Sequence, residues 1–148
     1  MLENVRKRMG REEGFTLVEL LVVMLILGIL AAIAIPSFLS QRDKAHDADA
    51  KAAARTAQTA AETFGTDHDG DYAGPPLMDV AALEAIEPTL ADSTIAVSDQ
   101  GQDTYKVTAT ADGTGNTFSI VRNDDGTTAR TCTGDAGCVD SSSTTEGW

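Results

Sequence analysis

The chain has little of what most enzymes and nucleic-acid binders are built from. It holds two histidines and two cysteines in 148 residues. Neither His46 nor His68 falls in a nucleophile motif with a serine or cysteine, and no glycine-rich phosphate loop is present. Aromatic residues make up 5% of the chain, too few for a platform on which single-stranded bases stack. Positive charge is also scarce, with 11 lysines and arginines against 23 acidic residues and a net charge of −12. Such a surface repels phosphate backbones. Composition therefore points away from an enzyme, a cofactor carrier and a nucleic-acid binder. The length allows one domain and an appendage.

What the chain does have is a long apolar run, GFTLVELLVVMLILGILAAIAIP, from Gly14 to Pro36. From Phe15 to Ile35 it is broken by one charge, Glu19. A helix of this length rises roughly 30 Å, about the thickness of a bilayer's hydrocarbon core. An ionised carboxylate inside such a span costs ~3 kcal/mol on insertion scales and usually marks function. A bare anchor has no use for Glu19.

Gly14-Phe15-Thr16-Leu17-Val18-Glu19 resembles the processing motif of the type IV pilin family, which includes the pseudopilins of secretion machines. Gly28 and Pro36 stand where pilins carry a glycine and a helix-bending proline. The close match covers residues 14 to about 40. The resemblance implies that a prepilin peptidase cuts between Gly14 and Phe15 and that Phe15 is methylated at its new amino terminus. It also implies that Glu19 is the buried glutamate of filament assembly. The partners it implies are further copies in a helical filament, the membrane before assembly, an inner-membrane platform and a cytoplasmic assembly ATPase.

The chemistry of the run leads the same way. Cleavage turns the Phe15 nitrogen from a peptide group into an ammonium, four residues from Glu19 and on the same helical face. An unpaired charge in an apolar medium is costly and a paired one is tolerated. Phe15 of one subunit pairing with Glu19 of a neighbour would set their axial stagger. An intramolecular pair, or a protonated Glu19 within the membrane, stays open. The leader's Arg6, Lys7, Arg8 and Arg11 favour cytoplasmic retention. Its removal, with Glu3, Glu12 and Glu13, leaves 7 basic and 20 acidic residues, a mature charge of −13. A secretory signal cut after Ala32-Ile33-Ala34 is the rival reading and would release a soluble protein starting at Ile35.

Gly28 weakens the helix, and Pro36 removes one donor and crowds the carbonyl of Ala32. The stretch from Gly28 to Pro36 is therefore expected to bend or lose helix. Residues 37–64 turn alanine-rich and charged, with Ala53, Ala57, Ala60 and Phe64 forming a narrow apolar stripe. Asp47 and Lys51 form an i, i+4 pair on what reads as a solvated face, and Phe64-Gly65 reads as the helix stop. Residues 65–92 form a loop-rich connection in which Asp79 caps a short helix ending before Pro88. Asp67, Asp69 and Asp71 are weak calcium candidates. Tyr72 takes the EF-hand's glycine position and Met78 that of its bidentate glutamate, against that pattern.

Four strands are expected over residues 93–98, 104–111, 116–122 and 127–132, with hairpin turns at Asp112-Gly113 and Asp125-Gly126. Tyr105, Val107 and Ala109 share one face, as do Phe118 and Ile120. The fold class is α+β: a long N-terminal helix, half membrane-spanning and half amphipathic, packed on an antiparallel meander. Cys132 and Cys138 are either a short staple worth about 2 kcal/mol or a metal pair that no nearby histidine completes. Many pilins carry a C-terminal disulfide loop, so the resemblance favours the staple. Residues 139–148 have the composition of a mobile serine- and threonine-rich tail that could carry glycans. The sequence thus reads as a precursor: leader 1–14, assembly helix 15–36, amphipathic helix 37–64 and outward-facing globular part 65–148. A pseudopilin, a minor pilin for adhesion or DNA uptake, and a secreted soluble domain are the alternatives.

Overall fold

The computed structural model describes residues 14–134 and 148. The leader up to residue 13, most of the tail and Cys138 lie outside the described residues. The chain forms two compact units, Met1–Leu39 and Ser40–Trp148, and the helix α1, Leu17–Asp67, contributes to both.

In the first unit the helix begins at a cap. Thr16 lies just before Leu17, and its hydroxyl accepts from the Glu19 amide at 3.2 Å. The Thr16 carbonyl accepts from Leu20 at 3.3 Å. Thr16 and Glu19 stand at the capping-box positions, where a hydroxyl satisfies an orphan amide of the first turn. The helix then runs unbroken through Gly28 and Pro36. The expected local loss of helix is absent from the isolated chain: proline costs one backbone bond there, and the flanking alanine, leucine and isoleucine residues keep the bonds on either side. Every large apolar residue from Phe15 to Leu39 is exposed.

In the second unit the helix meets an antiparallel sheet of order β1-β2-β3-β4. The strands are β1, Thr94–Ser98; β2, Tyr105–Thr110; β3, Thr117–Arg122; and β4, Thr128–Thr133. All four follow the expected positions and the expected meander. Tyr105, Val107 and Ala109 of β2 and Phe118 and Ile120 of β3 are buried on one face, and Cys132 pairs across from Phe118. Against them lie Ala50, Ala54, Ala57, Ala61 and Phe64 of α1, residues three or four apart that share one helix face. The stripe holds Ala57, Ala60 and Phe64 as expected, but Ala54 replaces the half-buried Ala53 at its centre.

The connection adds Met78, Leu83 and Leu90 to this core. Asp79 caps α2, Val80–Ile86, by accepting from the Ala82 amide at 2.8 Å. A 3-10 turn, Pro88–Asp92, leads into β1. The end of α1 differs from the sequence reading. Gly65 is inside the helix, which closes two residues later, where the Gly70 amide reaches the Gly65 carbonyl at 2.7 Å. Asp69 and Gly70 take positive φ of 56° and 88°, the left-handed turn that ends many helices. Gly65 serves packing instead. A Cβ there would lie 2.6 Å from the Tyr72 hydroxyl and 2.7 Å from its ring.

Candidate assembly site

The residues singled out for processing and assembly occupy the start of α1. Gly14 and Phe15 are exposed and precede the helix. Phe15 stands one residue ahead of the Thr16 cap, so its nitrogen is at the end of the helix rather than on its side. Glu19 lies in the first turn, where the helix dipole favours negative charge. An amine created at Phe15 would therefore share the helix start with one carboxylate. Phe15 is 77% exposed and Leu17 73%, so apart from Thr16 the side chains beside the pair are apolar and exposed. Gly28 has no atom within 4 Å of a would-be Cβ, which leaves that face of the helix open to close approach. The helix is long and apolar enough to cross a membrane.

Two polar joints tie α1 to the sheet, and the sequence reading missed both. At the first, Asp47 is buried. Its Oδ1 accepts from the Thr114 hydroxyl at 2.7 Å, and its two carboxylate oxygens take the Asn116 amide at 3.1 and 3.0 Å. The charge expected on a solvated face faces inward, because the β2–β3 turn supplies the donors. Lys51, one turn on, lies 4.9 Å from the centre of the Phe118 ring.

At the second joint, Glu62 accepts from Arg122 Nη1 at 2.9 and 3.1 Å, from the Tyr105 hydroxyl at 2.6 Å and from Tyr72 at 3.4 Å. The rings of Tyr72 and Tyr105 meet edge to face at 4.8 Å. Burial first, then the hydrogen bond to Glu62, pushes the Tyr105 hydroxyl far above the ordinary tyrosine value of 10.0. Burial and then the Glu62 charge also raise Tyr72. Both phenols stay protonated and donate.

The calcium candidates are not brought together: among the described residues no three carboxylates, histidines or cysteines gather to hold a metal. Asp71 Oδ1 instead accepts from the amides of Ala73 and Gly74, each at 2.9 Å, and shapes the turn. Cys132 is buried on β4; its expected partner Cys138 lies outside the described residues. The tail expectation needs one correction. Trp148 docks on the sheet, its ring edge-on to Phe118 at 5.7 Å and its Nε1 donating to the Thr131 carbonyl at 3.1 Å.

Residues 9–35 match the family described as the prokaryotic N-terminal methylation motif. The chain is 42% identical over 59 residues to the type IV major pilin protein PilA of Myxococcus xanthus, covering 40% of this chain and 27% of that protein. It is 46% identical over 50 residues to the type IV narrow pilus major component PilA5 of Thermus thermophilus, covering 34% and 43%. Over 39 residues it is 49% identical to the type II secretion system core protein G of Vibrio cholerae, covering 26% and 27%. The chain thus spans less than half the length of each of these relatives. No solved structure matches it. A methylation motif that runs into a long apolar helix, followed by a four-stranded antiparallel sheet, is a pilin-like α+β architecture. The motif and these relatives support a protein of the type IV pilin family.

Proposed function

We propose that this chain is the building subunit of a type IV pilus. It is made as a precursor. A prepilin peptidase removes residues 1–14, and Phe15 is methylated at its new amino terminus. Residues 15–36 hold the subunit in the cytoplasmic membrane, with residues 65–148 outside, until the platform and its ATPase draw it into an extracellular filament. There the helices of neighbouring copies cover one another, and Phe15 of one meets Glu19 of the next. Residues 37–64 carry the head on the helix. The Gly28 to Pro36 stretch is where the helix gives way when the filament is stretched, and a Cys132–Cys138 bridge closes the last strand.

One observation carries this reading. A capped helix with a lone carboxylate in its first turn leaves every large apolar side chain from Phe15 to Leu39 uncovered. Lipid can cover that surface before assembly and identical helices after it. The acidic head, which repels phosphate, gives the bulk subunit no part in nucleic-acid binding, and the subunit has a structural rather than catalytic role. A pseudopilin of a type II-like secretion system is the second reading, favoured by the likeness to core protein G. The cysteine pair tilts the choice toward a pilus.

The test is to shear surface fibres from cells and sequence the subunit's amino terminus. Methyl-Phe15 is expected, and a terminus at Ile35 would sink the proposal. Glu19→Ala should leave cleavage intact and lower filament yield. Normal filaments from that variant would remove Glu19 from the register role.

A further inference from the structure

The second unit carries opposite charge on its two sheet edges. At the β4 edge, Trp148 sits between two arginines. The Arg55 guanidinium lies 5.2 Å from the ring and that of Arg130 5.5 Å. Both arginines are exposed, and among the described residues neither has a carboxylate partner. With Lys51 beside Phe118, this edge gathers three of the mature chain's seven basic residues. Cation–π contact with the indole holds each guanidinium near the ring and leaves its N–H donors for an acceptor.

The β1 edge is the opposite end of the sheet. Between it and α1 is an open cleft of about 150 Å³. Asp49 of α1, Asp92 before β1 and Asp112 after β2 line it together with His46, and its lining holds no lysine or arginine. A guanidinium presented by another molecule would meet three carboxylates there.

We propose that the Arg55–Trp148–Arg130 edge of one copy docks on the Asp49–Asp92–Asp112 cleft of the next. The inference rests on the filament reading and names the surface through which the heads meet. The occupant is a second copy because the same chain supplies both halves of the match. A chain at −13 repels itself wherever carboxylates face each other, and this pairing turns that repulsion into attraction. Because the two patches differ, the contact is heterologous, the kind from which an open helical array is built when the rotation between copies does not close. The Phe15–Glu19 pair would set the stagger of the helices, and this contact the rotation of the heads.

The experiment uses the full chain in a piliated cell. Arg55→Glu with Arg130→Glu makes both edges acidic; Asp49→Arg with Asp92→Arg makes both basic. Each double variant alone should be cleaved at Phe15 yet yield at least tenfold fewer sheared filaments. Produced together in one cell they should recover filaments containing both variants, because unlike edges then alternate. Arg55→Lys with Arg130→Lys should assemble. Wild-type yield from either reversed variant alone would overturn the proposal. So would failure of the mixture to recover, which would assign the edge to another anion such as a lipid headgroup. If a double variant is degraded, Arg55→Glu and Asp49→Arg, single changes at exposed sites, run the same mixing test. If the unaltered chain forms no filaments at all, it is the filament reading that fails.

Discussion

Arg122 on β3 sets its Nη1 2.9 Å from Oε2 of Glu62 on α1, and two tyrosine hydroxyls point at the same carboxylate. The acceptor lies on the helix and the donors come from the sheet and the connection, so three segments of the second unit converge on one side chain.

Removing that carboxylate should therefore cost more than its surface exposure suggests. Glu62→Ala leaves Arg122, Tyr105 and Tyr72 without this acceptor, and a destabilisation of about 2 kcal/mol is expected from stranding two buried tyrosine hydroxyls and a partly buried guanidinium. Tyr105→Phe keeps the ring's burial and loses one bond, about 1 kcal/mol. Thermal melts of the detergent-solubilised chain, followed by circular dichroism, would show the order Glu62→Ala below Tyr105→Phe below wild type.

Alkaline pH should act on the same joint. Tyr105 titrates above its ordinary value because burial and Glu62 oppose the phenolate. The unfolded chain loses this proton near pH 10.0 while the folded chain keeps it, so unfolding gains a proton-release term as pH rises. Stability from this group is complete below pH 10.0 and declines above it. Denaturant midpoints at pH 8 and pH 11 check the sign, and Tyr105→Phe should flatten the decline.

Gly65→Ala is predicted to destabilise although alanine is the better helix former. Its methyl would enter the space of the buried Tyr72 ring, and overpacking of this kind costs about 1–3 kcal/mol. Gly28→Ala meets no atom within 4 Å, so in the isolated subunit it should gain about 1 kcal/mol of helix propensity. Comparing the two melts separates a packing glycine from an open one.

Cys132 and Cys138 should be closed in the exported protein. Alkylation of the denatured, unreduced chain should then add no label, and reduction should add two. Breaking the bridge should lower stability by about 2 kcal/mol in the chain-entropy model. Two labels without reduction would leave the last strand without its staple.

The elements were legible where local chemistry decides them. Alternation in Tyr105, Val107 and Ala109, the glycine turns at Gly113 and Gly126 and the Asp79 cap placed strands and short helix within about a residue of where they lie. The joints were not legible, because their meaning is non-local. Asp47 is 69 residues from Asn116 and Glu62 is 60 from Arg122, and no spacing rule tells such a carboxylate from a solvated one. Gly65 looked like a stop because its role depends on a ring seven positions on. Thr16 could have been recognised from its spacing to Glu19, which is the capping-box pattern.

Trp148 is the chain's single tryptophan, and it is held between Arg55 and Arg130 against Phe118. All indole fluorescence from this protein therefore originates at one strand edge. Its emission wavelength and its accessibility to quenchers would follow whatever covers or uncovers that edge, so the protein carries its own optical probe of the place where its heads are proposed to touch.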